Sequence, residues 1–341
     1  NLARSVIVLD EAQTLPPGLL APILDVLKAL VSDYGASLVL CTATQPALGA
    51  SDRLPQGFPE VTEIVSQPEG LFAELRRTRI VWPATMAPTP WPDLAAKIAA
   101  RPRVLAITHR RRDALELASL VEDAAPDALV FHLSASMCAE HRSRRLQEIR
   151  SQLDGGGPVR VISTQLVEAG VDLDFPVVYR AMGGFDAIAQ AAGRCHREGR
   201  MTDPGEVRVF FAVTAPPPGV PRTAFDVATL GWEERERPDL LRPEAFRGFF
   251  RDLYGNRDLD ENGIQKLRES LSFRRVAERF RFVDDASSVS VVVPYGEAPS
   301  LVGRLDREGP GRQLYRSLQR YLVNVPRHLL AAWSERGLAR L

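Results

Sequence analysis

Short apolar runs alternate with stretches of helical periodicity along most of the chain. The first run, Val6 to Leu9, is apolar and rich in β-branched residues, and residues 37–41 form a second such run. Runs of this kind are typical of buried parallel strands. Residues 17–34, which lie between them, repeat apolar positions at helical spacing. The order strand, helix, strand predicts a βαβ unit.

A longer alternating set follows and predicts a doubly wound α/β domain. Its predicted strands lie at residues 104–107, 128–133, 159–163, 177–179 and 207–213. Its predicted helices lie at residues 93–100, 111–123, 139–152 and 186–194. The remaining chain is mixed, with predicted helices at 243–254, 260–270 and 310–321 and a predicted strand at 290–293.

Proline-rich stretches suggest where the domains begin and end. Four prolines fall within residues 83–92, and Pro216-Pro217-Pro218-Gly219 marks a second break. Such clusters are typical of linkers. The predicted division is a first domain over residues 1–80, a linker over 81–92, a second domain over 93–215, and a linker with a further domain over 216–341.

Composition excludes several classes of protein. The 43 basic and 43 acidic residues balance, and 45% of the residues are hydrophobic, which argues against a polycation and against a disordered chain. We find no run of about 18 apolar residues and no signal peptide, and the three scattered cysteines fit a reducing compartment. We therefore expect a cytoplasmic protein with no membrane partner. Two mildly basic patches, at 266–281 and 304–341, are interpreted as solvated faces.

Three groups of polar residues follow predicted strands or a predicted helix. Asp10-Glu11-Ala12-Gln13 follows the first strand, where an acid pair can hold Mg²⁺ and polarise water. Ser163-Thr164 and Gly170 follow the strand at 159–163 and offer a hydroxyl pair and a turn to phosphate. Each group alone is weak or moderate evidence, because acids at strand ends and turn glycines are common.

The third group is Gln190-Ala191-Ala192-Gly193-Arg194-Cys195-His196-Arg197. Gln190, Arg194 and, less closely, Arg197 have helical spacing and could share one face. Two arginines aimed at one point could neutralise charge on a transferred phosphoryl group. The alternative is an exposed basic helix end, which the helix dipole favours.

Together and in this order, these groups resemble the motifs of superfamily-two helicases. The acid pair with its glutamine resembles the Walker B box, Thr42-Ala43-Thr44 resembles the Ser-Ala-Thr coupling motif, and residues 108–112 stand where the fourth motif is expected. The chain resembles most closely the helicase-nuclease of CRISPR-associated type I interference. The phrases that carry this resemblance are VLDEAQTLP, CTATQPAL, STQLVEAGVDLDF, QAAGRCHREGR, FRFVDD, VVVPYGE and LQRYLVNVPR.

The resemblance implies a fold class and a set of site residues. The fold would be α/β, with part of a first RecA-like domain, a complete second RecA-like domain and a mixed C-terminal accessory region. ATP and Mg²⁺ would be the cofactors, with the nucleotide contacted by Asp10 (also on Mg²⁺), Gly170, Asp172 and Gln190, and catalysis by Glu11, Arg194 and Arg197. Coupling would rest on Gln13, Thr42, Ala43 and Thr44. Nucleic acid would be contacted by Thr108, Arg110, Ser163 and Thr164.

The resemblance also implies partners and an activity. The family's helicase translocates on single-stranded DNA with ATP and unwinds target DNA for degradation. Its partners are single-stranded DNA, a crRNA-guided surveillance complex, and a nuclease domain that would lie upstream or on a separate chain. Two alternatives stay open: a general superfamily-two helicase acting on DNA or RNA, and a non-enzymatic module that docks nucleic acid or protein.

Two family motifs are not found in the 341 residues. No Gly-Lys dipeptide is present, so no P-loop can be assigned, and no His-Asp pair of an HD nuclease is present. We expect these parts on a segment upstream of the first strand, which makes the chain a fragment of a longer protein. This polypeptide alone is then expected to hydrolyse ATP negligibly.

Overall fold

The computed structural model describes residues 2–339 except 43, 45–46, 66–67, 169, 200, 235–236, 241, 256 and 283–286. The chain divides into two compact units, Asn1–Pro88 with Asp174–Phe282 and Thr89–Leu173 with Val283–Leu341. None of the helices in the described ranges combines the length and the apolar character that crossing a bilayer requires. The domain boundaries drawn from the sequence stay a prediction.

The first βαβ unit forms as predicted. It consists of strand β1 (Val6–Leu9), helix α1 (Leu20–Ser32) and strand β2 (Ser37–Leu40). The two strands pair in parallel, with Leu9 opposite Leu40. Both strands therefore end at the same edge, where residues 10–13 and 41–44 follow them.

The prediction that β1 is buried is wrong. Val6 is 68% exposed and Val8 is 58% exposed, and the other two residues of the strand are only partly covered. The apolar run predicted a strand covered on both faces, which is how parallel strands are usually packed. Val6 and Val8 point to the same face of the strand, so this face of β1 is left uncovered by the described residues.

The middle of the chain alternates helices and strands, and each predicted element is found with small shifts at its ends. The elements are α2 (Pro68–Glu74), β3 (Thr78–Val81), α3 (Trp91–Ala99), β4 (Arg103–Ile107), α4 (Arg111–Ala124), β5 (Val130–Leu133), α5 (Ala139–Asp154), β6 (Val159–Ser163), β7 (Val177–Ala181), α6 (Phe185–Ala192) and β8 (Gly205–Phe210). Neither α2 nor β3 is predicted by the sequence pattern. β3 has only four residues and two of them are polar, so its signal is weak.

Strands β3 to β8 form one six-stranded parallel sheet in the order β3-β8-β7-β4-β6-β5. β6 lies between β4 and β5, with Ser163 opposite both Ile107 and Leu133. All five residues of β6 are buried, as are the last four of β4, which form an unbroken apolar run in the sequence. The register aligns the carboxyl ends of these three strands, so Thr108 and Thr164 leave the sheet at one edge.

The C-terminal region carries helices and a two-stranded antiparallel sheet. Its elements are α7 (Val220–Glu234), α8 (Pro243–Gly255), α9 (Ile264–Glu269), α10 (Phe273–Arg279), β9 (Ser288–Val292), α11 (Ala298–Glu308), α12 (Arg312–Leu318), β10 (Leu322–Pro326) and α13 (Arg327–Glu335). β9 and β10 pair directly. Their apolar side chains form a small core with Tyr321 and with Cys138, which precedes α5. The sequence pattern predicts α8, α9, α12 and β9 but not the others.

Candidate functional site

The acid pair lies immediately after β1, in a tight turn. Glu11 adopts a left-handed backbone conformation, with φ of 53°, which only a few per cent of non-glycine residues adopt. Its backbone N–H donates to Oδ1 of Asp10 at 3.0 Å, and the N–H of Ala12 donates to the carbonyl of Cys41 at 3.1 Å. Such conformations persist where the surrounding structure holds them, and they cluster at active sites. The turn thus presents two adjacent carboxylates at the sheet edge.

Gln13 connects this acid pair to the segment after β2. Its side-chain Nε2 donates to Oε2 of Glu11 at 2.5 Å, and its Oε1 accepts a hydrogen bond from the hydroxyl of Thr42. The Gln13 side chain is buried, at 7% exposure. The Gln13 amide therefore joins the Glu11 carboxylate to the hydroxyl of Thr42, which lies 29 positions after Gln13 in the chain.

The Thr42 hydroxyl has two acceptors within reach but only one proton to donate. Besides Gln13, it lies 2.7 Å from the carbonyl of Thr44, whose N–H donates to Thr42 Oγ1 at 3.1 Å. Thr44 is fully buried, and its own hydroxyl has no hydrogen-bond partner among the described residues. The segment can therefore hold its hydroxyl proton in two ways. Ala43, the third residue predicted for coupling here, lies outside the described residues.

The predicted nucleic-acid contacts after β4 and β6 are mostly buried. Thr108 and Ser163 are 0% exposed and Thr164 is 7% exposed. The Thr108 N–H donates to the Ser163 carbonyl at 2.9 Å, and the Ser163 hydroxyl donates to a backbone carbonyl, that of Leu133 at 3.1 Å or that of Thr164 at 3.0 Å. These hydroxyls tie strand ends together here, and Arg110 alone of the four is exposed. A role in phosphate contact stays a prediction.

The segment after β6 contains a short 3-10 turn, Gln165–Val167, and then Gly170. Gly170 has φ of +67° and is exposed, with open space where a Cβ would stand. The backbone angle and not crowding therefore requires glycine. Asp172 is exposed as well, and its carbonyl accepts from Nε of Arg150 at 3.3 Å.

The shared helical face predicted for Gln190, Arg194 and Arg197 is wrong. Helix α6 ends at Ala192, so Gln190 lies in the helix while both arginines follow it. The backbone turns because the Phe175 N–H donates to the Arg194 carbonyl and the His196 N–H donates to the Phe175 carbonyl, each at 3.0 Å. Arg194 is buried, at 7% exposure, whereas Arg197 is exposed.

Asp174 holds the segment after α6 that carries the two arginines, residues 194–198, which we call the arginine segment. The sequence reasoning does not identify this aspartate. Its Oδ1 accepts from the N–H of Arg197 at 2.7 Å, and its Oδ2 accepts from the N–H of Glu198 at 3.1 Å. Arg77 donates from Nη1 to the Arg197 carbonyl at 2.9 Å. A charged acceptor on two consecutive amides is a strong local restraint. The sequence signal is only an aspartate 23 positions earlier, which spacing does not single out.

His196 also has a structural role. Its Nδ1 lies 3.0 Å from the Arg77 carbonyl, and its Nε2 accepts from the Met201 N–H at 3.0 Å. These partners assign the proton to Nδ1, because a carbonyl can only accept and an amide can only donate. The backbone of His196 is left-handed, with φ of 50°. A ring with both nitrogens bonded to the backbone is not a metal ligand.

Cys195 is buried beside this histidine, and its thiol is unreactive. Burial raises the pKa of its thiol to about 12, with Asp174 and Glu206 adding to the shift, and 2% of the residue is exposed. A thiol that stays protonated at neutral pH is a poor nucleophile and metal ligand. In the described ranges, no three His, Cys, Asp or Glu residues form a group that could hold a metal ion.

Parallel α/β layers with carboxylates, buried hydroxyls and arginines in loops at strand and helix ends define the class of protein. The fold is that of RecA-like helicases. The family described as CRISPR-associated nuclease/helicase Cas3, C-terminal, matches residues 101–200. Residues 101–200 are therefore similar to the C-terminal part of Cas3, in agreement with the motif resemblance.

Individual relatives agree with this assignment. The CRISPR-associated nuclease/helicase Cas3 of Methanothermobacter thermautotrophicus is 28% identical over 199 residues, covering 56% of this chain and 23% of that protein. The crystal structure of T. fusca Cas3 with AMPPNP superimposes with a TM-score of 0.63 at 16% identity, covering 96% of this chain and 48% of that one. A chain of a CRISPR RNA-guided surveillance complex in its pre-nicking state gives a TM-score of 0.53 at 14% identity, over 93% and 49%. The chain thus spans about half the length of these solved structures, and its match covers 23% of the curated relative.

Proposed function

We propose that this chain supplies the motor of a CRISPR-associated helicase-nuclease that hydrolyses ATP to move along single-stranded DNA. The observation that carries the proposal is the hydrogen-bonded path from Glu11 through Gln13 to Thr42. A motor needs a physical link between the group that activates the attacking water and the segment that responds to hydrolysis. Here one buried amide makes that link.

The residues around Asp10 fit a nucleotide-bound Mg²⁺. The Asp10 side chain is exposed at the strand end, with Oδ1 accepting the Glu11 N–H. Mg²⁺ is usually held by one or two carboxylates together with substrate phosphates and water, and not by an all-protein cage. Asp10 would hold the ion, which would neutralise charge on the phosphates.

Glu11 would orient the attacking water and accept its proton. Its left-handed backbone and the Gln13 amide on Oε2 fix where the carboxylate points, and Oε1 would remain for the water. Arg194 and Arg197 would stabilise negative charge on the phosphoryl group. Gly170, Asp172 and Gln190 would line the nucleotide.

Movement would follow from the choice of acceptor at Thr42. When the Glu11 carboxylate changes partners during hydrolysis, the Gln13 amide would shift. The Thr42 hydroxyl would then rotate and donate its hydrogen bond to the Thr44 carbonyl and no longer to Gln13. Thr44 would pass this change to the residues along the DNA strand. Exposed Arg110 would contact a backbone phosphate directly, and Thr108, Ser163 and Thr164 would do so only where the strand ends open to expose them. Contacts of this kind follow a strand without reading its sequence.

The partners proposed for the whole protein are single-stranded DNA, a crRNA-guided surveillance complex and a nuclease domain. The match to a chain from a surveillance complex supports this proposal. We propose cytoplasmic action, with no membrane partner.

The experiment is a DNA-stimulated ATPase assay on a polypeptide that joins residues 1–341 to a RecA-like segment bearing a Walker A loop. We expect activity in the joined chain and negligible activity in residues 1–341 alone. Glu11→Gln should reduce the rate by about 100-fold or more, the usual contribution of a general base. Glu60→Gln, at an exposed acid of the same unit, is the matched control and should keep the rate. Hydrolysis by the joined chain that persists in Glu11→Gln would contradict the proposal. Hydrolysis by residues 1–341 alone would contradict only the expectation that the Walker A segment is needed.

A further inference from the structure

An exposed surface around α10 combines phenylalanines with arginines, and no role is assigned to it above, although its last three residues begin the FRFVDD phrase. We call it the α10 surface. Its apolar members are exposed by 73%, 62%, 37% and 58%, and they are Leu271, Phe273, Phe280 and Phe282 respectively. Its basic members are all exposed as well, and they are Arg274, Arg275, Arg279 and Arg281. The surface lies in the basic patch interpreted from the sequence as a solvated face.

The neighbouring helix holds the α10 surface on an ordered support. The Asp260 carboxylate accepts from the N–H groups of Ile264 and Gln265 and so fixes the start of α9. Arg268 of α9 forms an ion pair with Asp25 of α1. The side chain of Asn262 donates to the Arg279 carbonyl at the end of α10 at 3.0 Å.

Packing within the described chain covers little of α10, which carries three apolar and four charged side chains. The helix has seven residues and none of them is buried. Helices this short are marginal by themselves and usually depend on burial of one face. Exposed apolar groups of this size on one surface element indicate an interaction site.

The charge of the α10 surface indicates an anionic partner. Four arginines stand against a single acid, Glu278, over residues 271–282. The one ion pair here joins Arg274 to Glu278 at 3.5 Å, with both side chains largely exposed. Exposed pairs of this kind are weak and give up their partners easily.

We propose that the α10 surface binds single-stranded nucleic acid, with the arginines on backbone phosphates and the phenylalanine rings stacked on bases. Alternating basic and aromatic side chains are the combination that binds unpaired strands, because every base has a face that can stack. A duplex hides those faces. A lipid surface fits less well, since membrane-surface helices are commonly 20–30 residues long.

The proposal extends the proposed function by adding a second contact with the same class of partner, at some sequence distance from the predicted phosphate contacts. Its test is anisotropy of a labelled oligothymidylate with the full chain, without nucleotide, over a series of salt concentrations. Because no ATP is present, failure here and failure of the ATPase assay are separate outcomes.

The two kinds of side chain should give different signatures. Phe273→Ala and Phe282→Ala should each weaken binding about fivefold or more at every salt concentration, because stacking does not release ions. Arg275→Ala and Arg279→Ala should each reduce the slope of log affinity against log salt by about 0.7, the value for one phosphate contact on a single strand. Matched controls are Leu338→Ala, at a leucine that is 72% exposed, and Arg304→Ala, at an exposed arginine outside the surface.

Several results would overturn the proposal. Controls that weaken binding as much as the surface variants would show a nonspecific charge effect. Phenylalanine variants with unchanged affinity would remove the stacking role. A duplex that binds as well as the single strand would contradict base stacking, whereas equal binding of an RNA strand would support the class. If the α10 surface variants lost binding to anionic phospholipid vesicles but kept their oligothymidylate binding, the surface would be assigned to a membrane instead.

Discussion

The hydroxyl of Thr42 donates a hydrogen bond to the side-chain oxygen of Gln13, and the nitrogen of the same amide donates to Glu11. An amide is suited to this position because it donates on one side and accepts on the other. A carboxylate at position 13 would repel Glu11, and an apolar residue would leave both partners without their bond. The chemistry of this path therefore requires glutamine, or a residue with the same two functions.

The first prediction concerns this amide. Gln13→Ala in the joined polypeptide should lower DNA-stimulated ATPase by an amount equivalent to about 1.5–3 kcal/mol, the usual worth of a hydrogen bond to a charged group. Nucleotide binding should change less, because Gln13 contacts Glu11 and not the phosphates in our proposal. Gln56→Ala, at a half-buried glutamine outside the path, is the control. Unchanged stimulation in Gln13→Ala would show that the path has no part in coupling.

The second prediction separates a motor from a docking module. Arg194→Ala and Arg197→Ala should each reduce the ATPase rate of the joined chain by tenfold or more, because arginine fingers stabilise negative charge in the transition state. Arg222→Ala, at an exposed arginine paired with Asp226, should have no effect. Loss of ATPase in either site variant would exclude the non-enzymatic alternative, whereas full ATPase in both would contradict the arginine-finger role. Equal loss in the control would point to a general loss of folding, which circular dichroism would detect.

The sequence predicted what lies along single elements and missed what joins distant ones. The sequence predicts β6 at its observed bounds, because three of its five residues are β-branched and apolar and a glycine-rich turn precedes them. The carboxylate of Asp174 on two amides and the ring of His196 between two backbone groups have no such signal, because their partners lie elsewhere in the chain. The helical face at Arg194 failed for the same reason, since the backbone bonds to Phe175 end α6 early.

The third prediction concerns the buried thiol of Cys195. Its pKa is raised to about 12 in the folded chain from 9.0 for a free thiol, chiefly because the thiol is buried. Above about pH 9 the unfolded chain therefore loses this proton before the folded one does. The stability that the neutral thiol contributes is complete below pH 9 and is lost as the pH rises towards 12, by about 1.4 kcal/mol per pH unit.

Denaturant titrations of the native chain and of Cys195→Ala, from about pH 8 to about pH 11, would measure this effect. The difference in the free energy of unfolding between the two should shrink over that range. A difference that does not depend on pH would contradict the buried neutral thiol. Alkylation gives an independent check, because Cys41 is partly exposed while Cys138 and Cys195 are buried. Iodoacetamide should modify Cys41 first in the folded chain.

The last prediction uses the close approach of Gly205 to the arginine segment. A Cβ added at Gly205 would lie 2.5 Å from Sγ of Cys195 and 3.0 Å from Cβ of His196. Gly205→Ala should therefore destabilise the chain by about 1–3 kcal/mol, the usual cost of overpacking. Adding Cys195→Ala removes the closest atom, so the double variant should be more stable than the sum of the two single changes predicts. Gly303→Ala, where the nearest atom is the flexible end of Arg307 at 3.6 Å, is the control. If the two single changes simply add in a double-mutant cycle, then Gly205 and Cys195 are not in contact, and the arginine segment is held in some other way.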